Sequence, residues 1–184
     1  VARVLRPVLR ADSWPIELLR VELEGPFYRS RASVMSQVSD EKKLRYEDYV
    51  DFPDDGNRHE VIDGEHFMSP APSLYHQTIS RRIQFQLYQA IELQGLGEVF
   101  NAPVDVQLTK NDIVQPDIVV VLPETRIKTP IKIKGTPDLV IEILSPSTRN
   151  NDLERKRNRY ELTCVPEYCI VDPDDHTVVQ LVLT

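Results

Sequence analysis

The sequence predicts one globular domain of the α/β class, of the mixed α+β kind, with a central mixed β-sheet flanked by helices. Three observations predict it. Apolar β-branched runs bounded by turn residues outnumber helical patterns, and the helical patterns fall between those runs. Two of the runs, Val114-Gln-Pro-Asp117-Ile-Val-Val-Val121 and Leu139-Val-Ile-Glu142-Ile-Leu144, each set one carboxylate in an otherwise apolar strand. A chain of 184 residues that is 41% hydrophobic and 28% charged can bury a core of its own and requires no second one.

Residues 1–34 read as an N-terminal extension to a domain of residues 35–184. They carry six arginines and no lysine, and Pro7, Pro15 and Pro26 break their weak periodicity. Met35 opens a polar stretch that resembles a protein start, so the extension is either a genuine tail or an over-extended start. Tyr46 to Phe52 reads as a short amphipathic helix stopped by Pro53. Asp63-Gly64 between alternating runs from Arg58 to Met68 is a hairpin signal. Ser73 can cap a helix over about 74–93, with Ile79, Ile83, Leu87 and Ile91 near period four. Beyond it, strands are expected over Glu98–Leu108 and, after an Asn111-Asp112 turn, over Ile113–Leu122 with Pro116 near its entrance. Lys132 to Lys134 lead into a strand over Leu139–Leu144. A helix over about 152–163 and strands over Tyr168–Val171 and Val178–Leu183 complete the order.

No run approaches the roughly 20 apolar residues of a membrane span. With no secretory signal order at the start, a cytoplasmic location is the expectation. Cys164 and Cys169 lack the second pair or spaced histidines of a zinc clip, and reduced core thiols are expected. A net charge of −7 argues against a surface coated in basic charge for indiscriminate nucleic-acid binding, without excluding a local basic track.

An ionised acid inside a doubly buried strand is expensive unless a cation or hydrogen bonds compensate it. Asp117 and Glu142 are far enough apart in sequence for one strand to turn back beside the next. If they share a site, Mg²⁺ suits it, since that hard cation takes one or two carboxylates plus waters and phosphate oxygens. Without a metal, one of the two acids should take up a proton. Phosphodiester cleavage also needs positive charge near the attacking water. Asp152, Lys156 and either Arg159 or Tyr160 share one face of the following helix, so Lys156 can turn to the sheet while Arg155 and Arg157 stay solvated. Glu60, in the first hairpin strand, is a third carboxylate, whereas Asp63 suits the turn and Glu65 lies beyond it. His76 could position a phosphate or a water, or simply be packed.

The order Tyr49-Val-Asp-Phe-Pro-Asp-Asp-Gly56, His59-Glu-Val-Ile-Asp-Gly-Glu65, Met68-Ser-Pro-Ala-Pro72 with His76-Gln77, Val114 to Val121, Asp138 to Thr148, and Lys156 to Tyr160 resembles the Uma2 family of putative restriction endonucleases, in the PD-(D/E)XK nuclease superfamily. The likeness covers about residues 40–184. It implies a restriction-endonuclease-like core and a divalent-metal site. By that resemblance Glu60 is the upstream acid, Asp117 the Pro-Asp acid and Glu142 the (D/E) acid. The chain departs at the next position, where the usual lysine two residues after the acid is Leu144; Lys156 on the following helix is the matching replacement.

The expected function is therefore a Mg²⁺- or Mn²⁺-dependent endonuclease that hydrolyses phosphodiester bonds, with DNA as the expected nucleic-acid partner and RNA not separable from it. Asp117, Glu142 and Glu60 would hold the metal and Lys156 would assist the attacking water, with His76, Asp152 and Tyr160 as secondary candidates. Arg81, Arg82, Lys132, Lys134 and Arg149 could meet phosphates. A homodimer suits double-strand cleavage. The alternative is a catalytically inactive interaction or regulatory module that keeps the nuclease fold.

Overall fold

The computed structural model describes residues 43–125 and 127–183, together with the backbone of Leu18 and Leu19. The expectations for residues 1–34 lie outside these residues, apart from the two-residue strand β1 (Leu18–Leu19).

Groups of strands separated by helical segments assemble into two mixed sheets. Helix α1 (Tyr46–Tyr49) precedes the hairpin of β2 (Arg58–Ile62) and β3 (Glu65–Ser69), which turns at Asp63-Gly64. Both turn residues have positive φ, 53° and 81°, which this tight hairpin turn requires. Ser73 caps helix α2 (Leu74–Leu87) by accepting the His76 N–H, and a wider π turn, Tyr88–Glu92, carries the helix on. The remaining strands are β4 (Glu98–Asn101), β5 (Val106–Thr109), β6 (Asp112–Val114), β7 (Ile118–Val121), β8 (Ile133–Lys134), β9 (Leu139–Ile143), β10 (Glu167–Asp172) and β11 (Thr177–Val182). Between β9 and β10 a π segment, Asn151–Lys156, runs directly into helix α3 (Arg157–Leu162).

The first sheet has the order β1-β11-β10-β9-β7-β4 and the second β3-β2-β6-β5-β8. In the first, β9 runs parallel to β10 and antiparallel to β7. The mixed sheet with helices thus stands as expected, but two runs read as single strands are each split between the sheets. Glu98–Leu108 breaks after Asn101, so β4 lies in the first sheet and β5 in the second. Ile113–Leu122 breaks at Gln115-Pro116-Asp117, so β6 lies in the second sheet and β7 in the first, with Asp112 starting β6 rather than closing a turn. The physical reason is the same in both: Pro103 and Pro116 have no N–H to continue a ladder, and the chain leaves one sheet for the other there. The two crossings lie side by side, the Ala102 N–H donating to the Asp117 carbonyl at 3.1 Å. Ile133–Lys134 is also a strand of its own, beside β5.

Period-two alternation divides the apolar side chains of the first sheet between two cores. Ile118, Val120, Ile141 and Ile143 pack with Ile83, Leu87 and Ile91 of the long helix. Val119, Val121, Val140 and Leu144 face the other way, packing with Ile62, Val106 and Val114 of the second sheet and with Tyr160 and Tyr168. Neither cysteine is disulfide-bonded, but only Cys169 packs against a core; Cys164 is exposed, in the turn that ends α3, with φ at 59°. The expectation of two core thiols therefore fails for Cys164, whose left-handed backbone belongs to a turn. Among the described residues no helix is long and apolar enough to cross a membrane.

Candidate active site

Asp117 sits at the crossing between the sheets. Immediately after it β7 pairs with β9, Ile118 opposite Ile141, and extending that register by one pair sets Asp117 across from Glu142. Alternation puts both on the side of Val119, Val140 and Leu144, toward the second sheet. Glu60 approaches from that second sheet, on the same side of β2 as the core residue Ile62. The helical segment after β9 adds Asp152, Lys156 and Tyr160. All are buried: Asp117 and Glu60 are 3% exposed, and Glu142, Asp152, Lys156 and Tyr160 are 1% exposed.

Lys156 is the hub of this cluster. Its Nζ lies 2.9 Å from Glu60 Oε1, 3.0 Å from Glu142 Oε1 and 3.2 Å from Asp152 Oδ1. The contact with Asp152 is an ion pair without an aligned hydrogen bond. The Tyr160 hydroxyl donates to the same Glu142 oxygen at 2.9 Å, and the Gln115 N–H, released from the ladder beside Pro116, donates to Glu60 Oε1 at 2.7 Å. Glu142 Oε2 has no protein donor among the described residues. Asp117 is held separately. Arg58 Nη1 donates to Oδ1 at 3.0 Å, while His76 Nε2 and the Ile143 N–H donate to Oδ2 at 3.0 and 2.9 Å. His76 Nε2 also lies 3.0 Å from the Ile143 carbonyl, so it carries the proton, and buried Nδ1 is left without a partner.

The electrostatics follow from crowding four carboxylates into a buried space. Burial raises the Glu142 pKa to about 8, with Asp152, Asp117 and Glu60 adding to the rise against the opposing pull of Lys156. Asp152 is likewise raised, first by burial. Burial works against the charge on Lys156, but Glu142, Glu60 and Asp152 together overcome it and hold the amine well above its ordinary pKa. At Asp117 burial is outweighed by His76, Arg58 and the Ile143 N–H, and the pKa is lowered. The site therefore contains one firmly ionised acid, one acid that retains a proton near neutrality, and a permanent ammonium.

Asp117, Glu142, Asp152, Lys156, Arg58 and His76 line a cavity of about 210 Å³. The loop residues Ser69-Pro70-Ala71-Pro72-Ser73 and Ser145-Pro146-Ser147-Thr148 complete its lining. Among the described residues no group of three or more His, Cys, Asp or Glu converges on one point that could hold a metal. In donor type, however, the residues fit a hard divalent cation. The lining offers carboxylate oxygens, the donors such a cation takes, and among the described residues Glu142 Oε2 carries no protein donor.

The structure thus brings together Asp117, Glu142, Glu60 and Lys156, and adds His76, Asp152 and Tyr160 to them. Of the two alternatives on the helix face it is Tyr160 that reaches the site, while Arg159 turns to Asp112 at 2.6 Å. Asp63 stays in the turn, paired with Lys43, and Glu65 pairs with Arg155 at the surface. Among the expected phosphate contacts, Arg81, Arg82 and Lys134 are exposed, whereas Lys132 donates to Gln107 and Arg149 is paired with Asp172. Sequence reasoning missed Arg58. The signal was available, since Arg58 stands two residues before Glu60 and the strand period puts both on one face.

Two mixed sheets with flanking helices, and a pair of acids on neighbouring strands where the sheets meet, define the class: an α+β domain. A family model described as a putative restriction endonuclease, Uma2, matches residues 46–183. The chain belongs to the Uma2 family of putative restriction endonucleases. The crystal structure of a putative nuclease of the domain-of-unknown-function group 820 from Anabaena variabilis ATCC 29413 superposes with a TM-score of 0.65 at 21% identity, covering 76% of this chain and 79% of that one. At that identity the likeness is one of fold. No curated protein matches the chain.

Proposed function

We propose that this chain is a divalent-metal-dependent endonuclease whose catalytic residues are Asp117, Glu142, Glu60 and Lys156, with DNA as its substrate. The observation that carries the reading is Lys156, whose Nζ stands 3.0 Å from Glu142 although its backbone lies on a different element. Leu144, at the usual lysine position, is packed in the core, and the helix supplies an ammonium at the acid itself. Family membership supports the nuclease class.

In this reading Asp117 and Glu142 hold Mg²⁺ or Mn²⁺, with Glu60 completing the acidic set. The bound cation would polarise a phosphoryl oxygen and lower the pKa of a water. The chain's own residues do the rest. His76 and the Ile143 N–H fix the Asp117 carboxylate in rotation, so its free lone pairs keep one direction. Tyr160 does the same for Glu142. Lys156, held as an ammonium, cannot take a proton from water; it orients the nucleophile and stabilises negative charge as it develops. The two Ser- and Pro-containing loops line the cavity that a phosphodiester would enter. Two copies in symmetric array would serve both strands of a duplex.

Plasmid DNA incubated with Mg²⁺ or Mn²⁺ is expected to be nicked or linearised by the wild type. Asp117→Ala and Glu142→Ala should each lower the rate by more than about a hundredfold, the scale of several kcal/mol expected for a lost metal ligand. Equal activity in all three would rule out this site, and a single-stranded RNA substrate run alongside separates a DNase from an RNase. One observation favours the inactive interaction or regulatory module: Lys156 occupies the midst of Glu60, Glu142 and Asp152, where a metal must compete with it. Titration calorimetry decides between them, since that module would take up neither Mg²⁺ nor Mn²⁺.

A further inference from the structure

Arg58 enters none of the roles above, yet it is the one guanidinium lining the cavity among the described residues. Its side chain is 16% exposed and leans on a nearly buried Asp117. Both of its hydrogen bonds within the described residues leave from Nη1, to Asp117 Oδ1 at 3.0 Å and to the Gln115 carbonyl at 3.1 Å. A guanidinium has five N–H donors in a planar fork, so Nε and Nη2 keep theirs for another acceptor. Asp117 does not depend on Arg58 for its orientation, because His76 and the Ile143 N–H hold the opposite oxygen. A divalent cation taken up by Oδ1 would be brought against the guanidinium, like charge to like charge, while a phosphate entering the cavity would offer it the paired oxygens for which the fork is suited.

We propose that Arg58 is a phosphate-binding residue of this site, resting on Asp117 until a divalent cation takes that carboxylate and frees the guanidinium for a backbone phosphate of the nucleic acid. The inference rests on the metal-dependent nuclease reading, and it adds an order of events: metal uptake and phosphate binding are linked through one side chain. Arg58 then competes with the metal in the absence of substrate and cooperates with it in its presence.

The test uses binding alone. Arg58→Gln should bind Mn²⁺ about tenfold more tightly than wild type in titration calorimetry, the removal of one competing charge-assisted contact. The same variant should bind a nuclease-resistant phosphorothioate oligonucleotide about tenfold more weakly in Mn²⁺, yet equally well in EDTA. Arg58→Lys keeps the charge without the fork, so its Mn²⁺ affinity should stay within about twofold of wild type while its oligonucleotide binding in Mn²⁺ falls about threefold. Should Arg58→Gln not fold, as judged by circular dichroism, Arg58→Lys decides, and unchanged oligonucleotide binding there overturns the proposal. Unchanged or weaker Mn²⁺ binding by a folded Arg58→Gln, or a loss of oligonucleotide affinity that is the same in EDTA, overturns it while leaving the nuclease reading intact. Absence of Mn²⁺ uptake by wild type and variant alike overturns both.

Discussion

Glu142 couples its own protonation to folding and, on the proposed reading, to metal uptake. Its pKa is raised from 4.5 to about 8, chiefly by burial. A raised folded-state value means that the native protein holds the proton more tightly than the unfolded chain. The stabilisation is complete below about 4.5 and is lost as the pH climbs through about 8. Denaturant melts in EDTA at pH 5, 7 and 9 should therefore show stability falling with pH in the wild type, and a clearly shallower fall in Glu142→Gln, which has no proton to lose. Parallel pH profiles would show that Glu142 is not the group responsible. Because a metal must displace that proton, Mn²⁺ affinity should rise between pH 6 and pH 8 in the same samples. At this scale the sequence was most legible where one polar residue stood in an apolar run, as at Asp117 and Glu142. It was least legible for the partners. Nothing local to Asp117 indicates that Arg58 and His76, 59 and 41 residues away, arrive at its two oxygens.

The hairpin of β2 and β3 shows how an element sets the geometry of a distant site. Gly64 has φ of 81°, and a Cβ there would meet Lys43 Cβ at 2.6 Å. Its N–H donates to the Asn111 carbonyl, and its own carbonyl accepts the Leu44 N–H, so the turn is tied on both sides. Gly64→Ala is expected to destabilise the fold by about 1–3 kcal/mol, from the strained backbone and the close contact together. The shift should also be felt at Glu60, three residues before Asp63, and urea melts with parallel cleavage assays would measure both. Asp-Gly between alternating runs made this hairpin readable. The same reasoning fails at the crossings, because an apolar run carries the same alternation whichever sheet it belongs to. Pro103 and Pro116 marked the breaks, but a proline at a strand entrance and a proline between two sheets look alike in sequence. Only pairing partners distant in the chain, such as β9 for β7 and β2 for β6, distinguish them.

For the molecule as a whole, an acidic chain of net charge −7 that handles nucleic acid must gather its attraction locally. Oligonucleotide binding should fall at least about tenfold between 50 and 200 mM salt, because releasing the phosphates' counterions gains less free energy in more concentrated salt. A cation bound by the folded state alone stabilises that state by about 2.7 kcal/mol at a hundredfold excess over its dissociation constant. That corresponds to a rise of about 5–10 °C in Tm for a domain of this size. Thermal melts with and without Mn²⁺ should show it in the wild type and lose it in Asp117→Ala; equal Tm values in the two would place any bound metal elsewhere. Fold class was legible at this scale because the order of helices and strands is local information, whereas the division into two sheets is not.

Glu60 Oε1 takes one donor from the crossing segment at Gln115 and another from the helical segment at Lys156, so that one oxygen links the second sheet, the passage between the sheets and the helix beyond β9. On the proposed reading, chemistry and architecture share these fastenings. Substituting Glu60 or Lys156 would open this buried seam whether or not the residue takes part in chemistry. The same buried contacts that would serve the proposed chemistry at Glu60 and Lys156 thus also fasten the two sheets to the helical segment.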